Sequence, residues 1–228
     1  MKPVAIIPAR GGSKRVPRKN IQLVDGVPMI ARAITTALES EIFANVIVST
    51  DDTEISEISQ KFGAKVPKLR SRELSDDFAN TYDVIADALS KSWLGEKDPD
   101  YVCCIYPSSI FLKASHLHEA YKLLLNTGCS YVFPVQEYSP PIQRGLYLEE
   151  NGRVKMIDPK NSLKRTQDLI PTYHDTGQFY WGKRSAWEKK ETIFGVDSRG
   201  LICKPYEFID IDTQEDLELA RMLFKARS

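Results

Sequence analysis

The 228-residue sequence lacks most of the signatures that settle a protein's class at a glance. It has no run approaching the roughly 18 consecutive apolar residues of a membrane span. Pro3 and Arg10 interrupt anything resembling the apolar core of a secretory leader, so the chain is expected to stay in the cytoplasm, off the membrane. Its four cysteines, Cys103, Cys104, Cys129 and Cys203, show no C-x-x-C spacing, which removes the common zinc and dithiol motifs and leaves reduced core residues as their reading. An excess of either charge is also missing. Lys plus Arg and Asp plus Glu are 31 each, so no global field draws nucleic acid or an anionic membrane surface. Neither a Ser-His-Asp nor a Cys-His set for nucleophilic catalysis is evident, and there is no internal repeat or low-complexity segment. With 42% hydrophobic and 27% charged residues, the expectation is one globular domain over 1–228 with a single substantial core.

What the chain does have is concentrated near its start. Ile7 to Asn20 reads IPARGGSKRVPRKN, directly after the short apolar run Val4 to Ile7, which suits a buried strand ended by Pro8. Arg10, Lys14, Arg15, Arg18 and Lys19 place five cations in ten residues. Gly11-Gly12-Ser13 between them is expected to turn tightly through positive φ and bring backbone N–H groups to an anion. The adjacent glycine pair fits neither a P-loop, which needs two glycines five apart before Lys and Ser or Thr, nor the dinucleotide fingerprint G-x-G-x-x-G. A local cation cluster in a neutral protein points to a small anionic ligand such as a triphosphate.

The rest of the chain alternates. Met29, Ile30, Ala33, Ile34, Ala37 and Leu38 recur at helical spacing, with Pro28 expected at the first helical position. Val46 to Val48 reads as a strand, Ile55, Ile58 and Phe62 as one face of a helix, and Lys65 to Leu69 as a further strand. Phe78, Tyr82, Ile85 and Leu89 mark another helix, and Tyr101 to Ile105 is the continuous apolar run of a central, doubly buried strand. Leu117, Ala120, Tyr121 and Leu124 form a helix closed by Gly128, followed by strands at Tyr131 to Phe133, Gln178 to Trp181, Leu201 to Cys203 and Phe208 to Asp212. This rhythm predicts an α/β fold, a mostly parallel twisted sheet with helices on both faces, in which ligands bind beyond the carboxyl ends of the strands. Between 138 and 173 the rhythm breaks into prolines and short strand-like pieces. That segment reads as an insertion, either an ordered surface loop or an excursion that pairs subunits.

Ile209-Asp210-Ile211-Asp212-Thr213 is the second chemical signal. Two carboxylates two apart on a strand share a face about 7 Å apart and repel by roughly 2 kcal/mol at an effective dielectric of about 20. Something positive should compensate them. Mg²⁺ is apt, since it takes oxygen ligands and is commonly held by one or two carboxylates together with substrate phosphates. The competing reading makes Asp212 a helix N-cap and Asp210 a solvated strand end. Thr213-x-x-Asp216 resembles a capping box for the last helix. His116 and His118 are expected to be exposed on their helix rather than to act as ligands.

The opening loop and the I-D-I-D-T string resemble the signatures of the sugar-activating cytidylyltransferases, in particular those that make CMP-linked nonulosonic (sialic-type) acids. The R-V-P-R form of the loop, Val102-Cys103-Cys104-Ile105-Tyr106-Pro107, Ser75-Asp76-Asp77-Phe78-Ala79 and Tyr173-His174-Asp175-Thr176-Gly177-Gln178-Phe179-Tyr180 are most like the members acting on pseudaminic acid. Tyr106 stands where sialic acid members carry Gln, and the acidic residue of the Kdo enzymes is missing at this strand end. The resemblance implies a nucleotide-diphospho-sugar transferase-like, Rossmann-like fold, CTP and a nonulosonic acid as substrates, Mg²⁺ as cofactor, and a homodimer paired through 138–173. It implies that Arg10, Lys14 and Lys19 stabilise phosphate charge as catalytic residues with Asp210 and Asp212, which bind the metal. Ala9, Gly11, Gly12, Ser13, Asn20 and Arg70 would complete the nucleotide site, and Tyr106, Ser108, Arg165, His174 and Gln178 would meet the sugar. His174 would bind sugar or transfer a proton, and Arg165, with Arg144, Lys164 and Gln167, would reach a neighbouring subunit's site. In the implied reaction the sugar's anomeric hydroxyl attacks the α-phosphorus of CTP and pyrophosphate leaves, so the nucleophile is the substrate's own. The base is left open between a metal-bound hydroxide and water. Legionaminic or N-acetylneuraminic acid are the nearer alternative substrates. A metal-dependent glycosyltransferase, which also combines D-x-D with an α/β fold, or a nucleotide-binding regulator, stands farther off.

Overall fold

The computed structural model describes residues 2–76, 79–94, 98–205 and 207–227. In chain order the regular elements begin with β1 (Val4–Pro8), the hairpin β2 (Leu23–Val24) and β3 (Val27–Pro28), α1 (Met29–Glu39), β4 (Asn45–Ser49) and α2 (Thr53–Lys61). They continue with α3 (Thr81–Ala88), α4 (Lys91–Leu94), β5 (Tyr101–Ile105), α5 (Ala114–Thr127), β6 (Tyr131–Glu137) and the hairpin β7 (Leu146–Leu148) and β8 (Val154–Met156). The last are β9 (Tyr173–Asp175), β10 (Phe179–Lys183), α6 (Arg184–Glu188), β11 (Ser198–Ile202) and α7 (Gln214–Arg227).

The main sheet runs β11-β6-β10-β5-β1-β4, with β9 added beside the end of β6. β1 lies parallel to both β4 and β5, and β11 lies parallel to β6. β10 is antiparallel to both β5 and β6, and β9 is antiparallel to β6. The period-2 alternation of strands divides their side chains between two faces. Ala5, Ile7, Cys103 and Ile105 pack with residues of α1, α5 and α7 on one side, while Val4, Ile6, Val102 and Cys104 pack with α3, α4 and α6, including Trp93 and Trp187, on the other. The two helical layers that the alternation predicts are therefore present. All four cysteines are buried and unbridged, and no described helix is long and apolar enough to cross a membrane.

Several local expectations need correction. Lys65 to Leu69 is not a strand: it keeps a single bridge, Lys65 opposite Ile47, and Pro67 cannot donate to a ladder. Phe208 to Asp212 is irregular. Its buried residues, Phe208 and Ile211, are three apart rather than two, which no strand period allows. Pro28 is the N-cap of α1, one position earlier than expected. His116 is buried: its Nδ1 accepts from the Lys113 N–H at 3.2 Å, its Nε2 lies 3.1 Å from Glu207, and its ring meets Phe208 edge-on. His118 is exposed as expected. Asp77 and Phe78 lie outside the described residues, so the expected start of α3 at Phe78 does too.

The carboxyl ends of β1, β4 and β5 emerge along one edge of the sheet, and the antiparallel β10 begins there. That edge collects the opening loop, Thr50 to Asp52, Tyr106 to Ser109 and the turn before Phe179.

Candidate active site

The opening loop is bound to its neighbours before any ligand arrives. The Ala9 N–H donates to the Ser49 carbonyl at 2.9 Å and Ala9 is fully buried, so it supports the loop from within the core. The Gly11 N–H donates to Asp51 Oδ1 at 2.9 Å. Neither Gly11 nor Gly12 adopts positive φ, against expectation. The need for glycine at 11 is instead close approach, because a Cβ there would lie 2.6 Å from Asp52 Oδ2, while one at Gly12 would meet open space. The left-handed residue is Arg18, at φ 55°. Its guanidinium turns away to pair with Asp52 and Glu54 at the start of α2. Asp52 also caps that helix by accepting the Ile55 N–H at 3.0 Å, and its carboxyl sits below the ordinary range chiefly because of the Arg18 hydrogen bond. Asn20 is buried and donates to the Arg10 carbonyl at 2.9 Å, fixing the loop's far limb to its near one.

A cleft of about 570 Å³ opens beside this loop. One wall carries Arg10, Ser13, Lys14, Arg15, Lys19 and Asn20, and the other Tyr106, Pro107, Ser108 and Gly177. Asp210 and Asp212 join the two walls. Asp212 Oδ1 accepts from Arg15 Nη2 at 2.9 Å and stands 3.5 Å from Lys19 Nζ, while Lys19 Nζ also donates to the Ile211 carbonyl at 2.6 Å. Asp210 faces the cleft but rests its carboxylate against Gly177. Its pKa is raised above the usual carboxylate value, first by burial and next by the Asp212 charge, with Lys19 opposing. The expected repulsion between the two acids is therefore present, on an irregular segment rather than on a strand. Asp212 is not the helix cap. Thr213 takes that role, with its hydroxyl accepting from the Asp216 N–H at 3.2 Å and Asp216 accepting from the Thr213 N–H at 2.8 Å.

On the second wall the Tyr106 hydroxyl shares a 2.8 Å hydrogen bond with Thr81, and its ring meets Tyr180 edge-on at 5.6 Å. Burial pushes the Tyr106 phenol up, so it stays protonated at neutral pH. Tyr180 donates its hydroxyl to Asp175.

Nine of the residues expected from the sequence line the cleft together: Arg10, Ser13, Lys14, Lys19, Asn20, Tyr106, Ser108, Asp210 and Asp212. Arg70 is buried behind it, with Nε donating to Ser75 at 3.1 Å, and burial lowers its pKa while Asp51 opposes that shift. Gln178 is buried too, its amide donating to the carbonyls of Thr176 and Ile209. His174 lies on β9 with Nδ1 2.8 Å from the Asp175 carbonyl and its ring against Tyr138. Arg165 pairs with Asp168 in the 138–173 segment, off the cleft of its own chain. Arg15 and Gly177 line the cleft without having been expected there. Arg15 was visible as one cation of the cluster, whereas the importance of Gly177 depends on Asp210, far away in sequence.

A cationic loop at the carboxyl edge of a largely parallel sheet, with two carboxylates facing it, suits the phosphates of a nucleotide. The solved structure of a CMP:2-keto-3-deoxy-manno-octonic acid synthetase complexed with CTP shares this fold, with a TM-score of 0.75 at 17% identity over 100% of both chains. Residues 4–227 match the family model described as Cytidylyltransferase, and the chain belongs to that family. A pseudaminic acid cytidylyltransferase of Campylobacter jejuni is 42% identical over 99% of this chain and 97% of its own. A CMP-N,N'-diacetyllegionaminic acid synthase of Legionella pneumophila is 30% identical, over 99% and 97% respectively.

Proposed function

We propose that the protein joins CTP and pseudaminic acid to give CMP-pseudaminic acid and pyrophosphate, in the cytoplasm and as a homodimer. The observation that carries the reaction is the meeting of Arg15 and Lys19 with Asp212 in one cleft, which sets phosphate-binding cations against a metal-binding carboxylate pair. The identity of the sugar is supported by the 42% identical relative.

The sugar's anomeric oxygen forms a bond to the α-phosphorus as the bond to the pyrophosphate oxygen breaks, and the hydroxyl proton passes to solvent. In-line displacement requires attack from the side opposite the leaving group. The cationic wall therefore receives the pyrophosphate, and Tyr106 and Ser108 receive the sugar. Arg10, Lys14, Lys19 and Arg15 stabilise the negative charge that grows on the departing pyrophosphate. Asn20 and the Gly11 contact with Asp51 hold that wall in shape, and the Arg70 N–H, donating to the Thr50 carbonyl at 2.7 Å, ties the neighbouring strand end from behind.

Asp210 and Asp212 suit Mg²⁺: both are hard oxygen donors, and Asp210 is short of positive charge in the free protein. Among the described residues no group of three or more His, Cys, Asp or Glu could hold a metal ion, so phosphate oxygens and water would complete the shell. Bound there, Mg²⁺ would neutralise the phosphates and polarise the reacting one.

The homodimer reading rests on 138–173. Leu148, Val154, Leu163 and Ile170 expose 66–96% of their surface there, apolar area that a partner subunit would cover. Pairing through this segment would bring Arg165 and His174 within reach of the partner's sugar.

The test is pyrophosphate release from CTP and Mg²⁺ with pseudaminic, legionaminic and N-acetylneuraminic acids supplied separately. Release with pseudaminic acid, lost in Asp210→Ala, supports the reading. Release with another acid alone keeps the reaction and replaces the sugar, and release with none of them overturns the assignment.

A further inference from the structure

The turn between β9 and β10, Asp175 to Gln178, is fastened to both walls of the cleft although only Gly177 lines it. Gly177 stands at φ 62° and donates its N–H to Asp175 Oδ1 at 3.2 Å. A Cβ on it would lie 3.1 Å from Asp210 Oδ2 and 3.3 Å from Asp210 Cγ. Left-handed backbone and crowding by the carboxylate each favour glycine here. Gln178 donates through Nε2 to the Ile209 carbonyl at 3.2 Å, and its own carbonyl accepts from the Tyr106 N–H at 2.9 Å and the Ser109 hydroxyl at 2.8 Å. Asp210 thus sits between two anchored carbonyls: Ile209 is held by Gln178 and Ile211 by Lys19 Nζ at 2.6 Å. The stretch carrying it belongs to no strand or helix, so these outside anchors decide where the carboxylate stands.

We propose that Gly177 and Gln178 are positioning residues for Asp210, the glycine by leaving room for its carboxylate and the glutamine by fixing the carbonyl that precedes it. The proposal rests on reading Asp210 as a metal ligand. Mg²⁺ demands near-ideal octahedral geometry, so a displacement of a few tenths of an ångström, the amount a Cβ at position 177 would impose, weakens the site. The amide donors of Gln178 serve main-chain carbonyls, so its positioning role is separate from any contact its unpartnered Oε1 would make with the sugar.

The experiment is calorimetric titration of CTP with and without Mn²⁺, in the absence of sugar, so that the gain in CTP affinity conferred by the metal is read without turnover. Asp210→Ala calibrates the complete loss of that gain. Gly177→Ala and Gly177→Asn are expected to cut it at least fivefold while metal-free CTP affinity stays within twofold, and both are checked for cooperative thermal unfolding. Asn tolerates left-handed φ better than Ala. Equal losses therefore identify the Cβ, and a loss in Ala alone identifies backbone strain and overturns the proposed contact. Gln178→Met, which keeps bulk without the amide, is expected to lose the gain with little change in the sugar KM and carries the test if the glycine variants fail to fold. A raised sugar KM with an unchanged gain makes Gln178 a substrate ligand and overturns its positioning role, as a wild-type gain in folded Gly177 variants overturns that of the glycine. If the wild type shows no gain, or Asp210→Ala keeps one, the metal reading falls and takes the proposal with it.

Discussion

The carboxyl edge of the sheet and the 138–173 segment are built by opposite means. At the edge, polar groups are tied down within one chain: Gly11 to Asp51, Asn20 to the Arg10 carbonyl, Arg18 to Asp52 and Lys19 to the Ile211 carbonyl. In the 138–173 segment β7 and β8 pair only with each other among the described strands, and large apolar side chains face outward. An isolated two-stranded hairpin is marginal in water. One region is tied down within its own chain and the other leaves apolar side chains outward, which is why the proposed chemistry falls to the first and the proposed subunit pairing to the second.

The sharpest way to break this contrast is at the acids. Asp212→Ala is expected to lower kcat about 10³-fold, the scale of removing one preorganised charge from a phosphoryl site, with little change in melting temperature. A steady-state assay beside a thermal melt checks both halves. A similar loss accompanied by unfolding would mean that Asp212 mainly supports the loop through Arg15 and Lys19.

The next test addresses the insertion. Leu148→Lys with Leu163→Lys places charge on two of the most exposed apolar positions, Leu148 at 76% and Leu163 at 96%. The expected outcome is a halved mass by sedimentation or light scattering, with about 10-fold to 100-fold lower activity if Arg165 acts across the interface. An unchanged mass would return this segment to a surface loop. The same lysines placed in the sheet core would prevent folding.

How much could be read from the sequence follows the same division. The strands β1, β4, β5, β6, β10 and β11, the two helical layers and the capping box at Thr213 all depend on residues a few positions apart and were legible in the amino-acid order, whereas Lys65 to Leu69 and Phe208 to Asp212 were misread as strands. Distant partners were invisible. Arg18 looks like any other cation of the loop, yet Asp52 and Glu54 take it away from the cleft. Gly11 reads as a turn residue, but its small size answers to Asp52 rather than to φ. His116 sits on a helical face that pattern alone makes solvent-exposed, and the 207–208 stretch covers it. Gly177 was missed for the same reason, since it matters through an aspartate more than 30 residues away, and Arg15, visible only as one cation of five, owes its place in the cleft to Asp212. Nothing in the order of residues 138–173 distinguishes a surface loop from a subunit contact, because that depends on a second chain.

Smaller effects probe how the edge is held. Asp52→Ala removes the N-cap of α2 and the partner of Arg18 together, and is expected to cost about 1–2 kcal/mol in denaturant unfolding. Leu163→Ala, on an exposed side chain, should cost a single chain less than about 0.5 kcal/mol. Comparable losses at both positions would erase the distinction between the two regions.

Asp52→Asn separates the cap from the charge and gives the smallest effect. Asn caps a helix about as well as Asp, so what it removes is the Arg18 ion pair. That pair is partly exposed, with side-chain exposures of 37% and 20%, and is worth about 0.2–1 kcal/mol. Because the folded Asp52 pKa lies below its unfolded value of 3.8, the carboxylate contributes stability that is fully present above that value. It is lost as the pH falls through the lowered folded value. Wild type should therefore exceed Asp52→Asn by a constant small margin near neutrality, and the margin should close in the acid range below about pH 4. Parallel urea titrations from pH 7 to pH 3 measure it. A margin that stays constant into acid would mean that it does not come from the ionised Asp52–Arg18 pair, leaving the Arg18–Glu54 pair and the Gly11–Asp51 hydrogen bond as the ties between loop and α2.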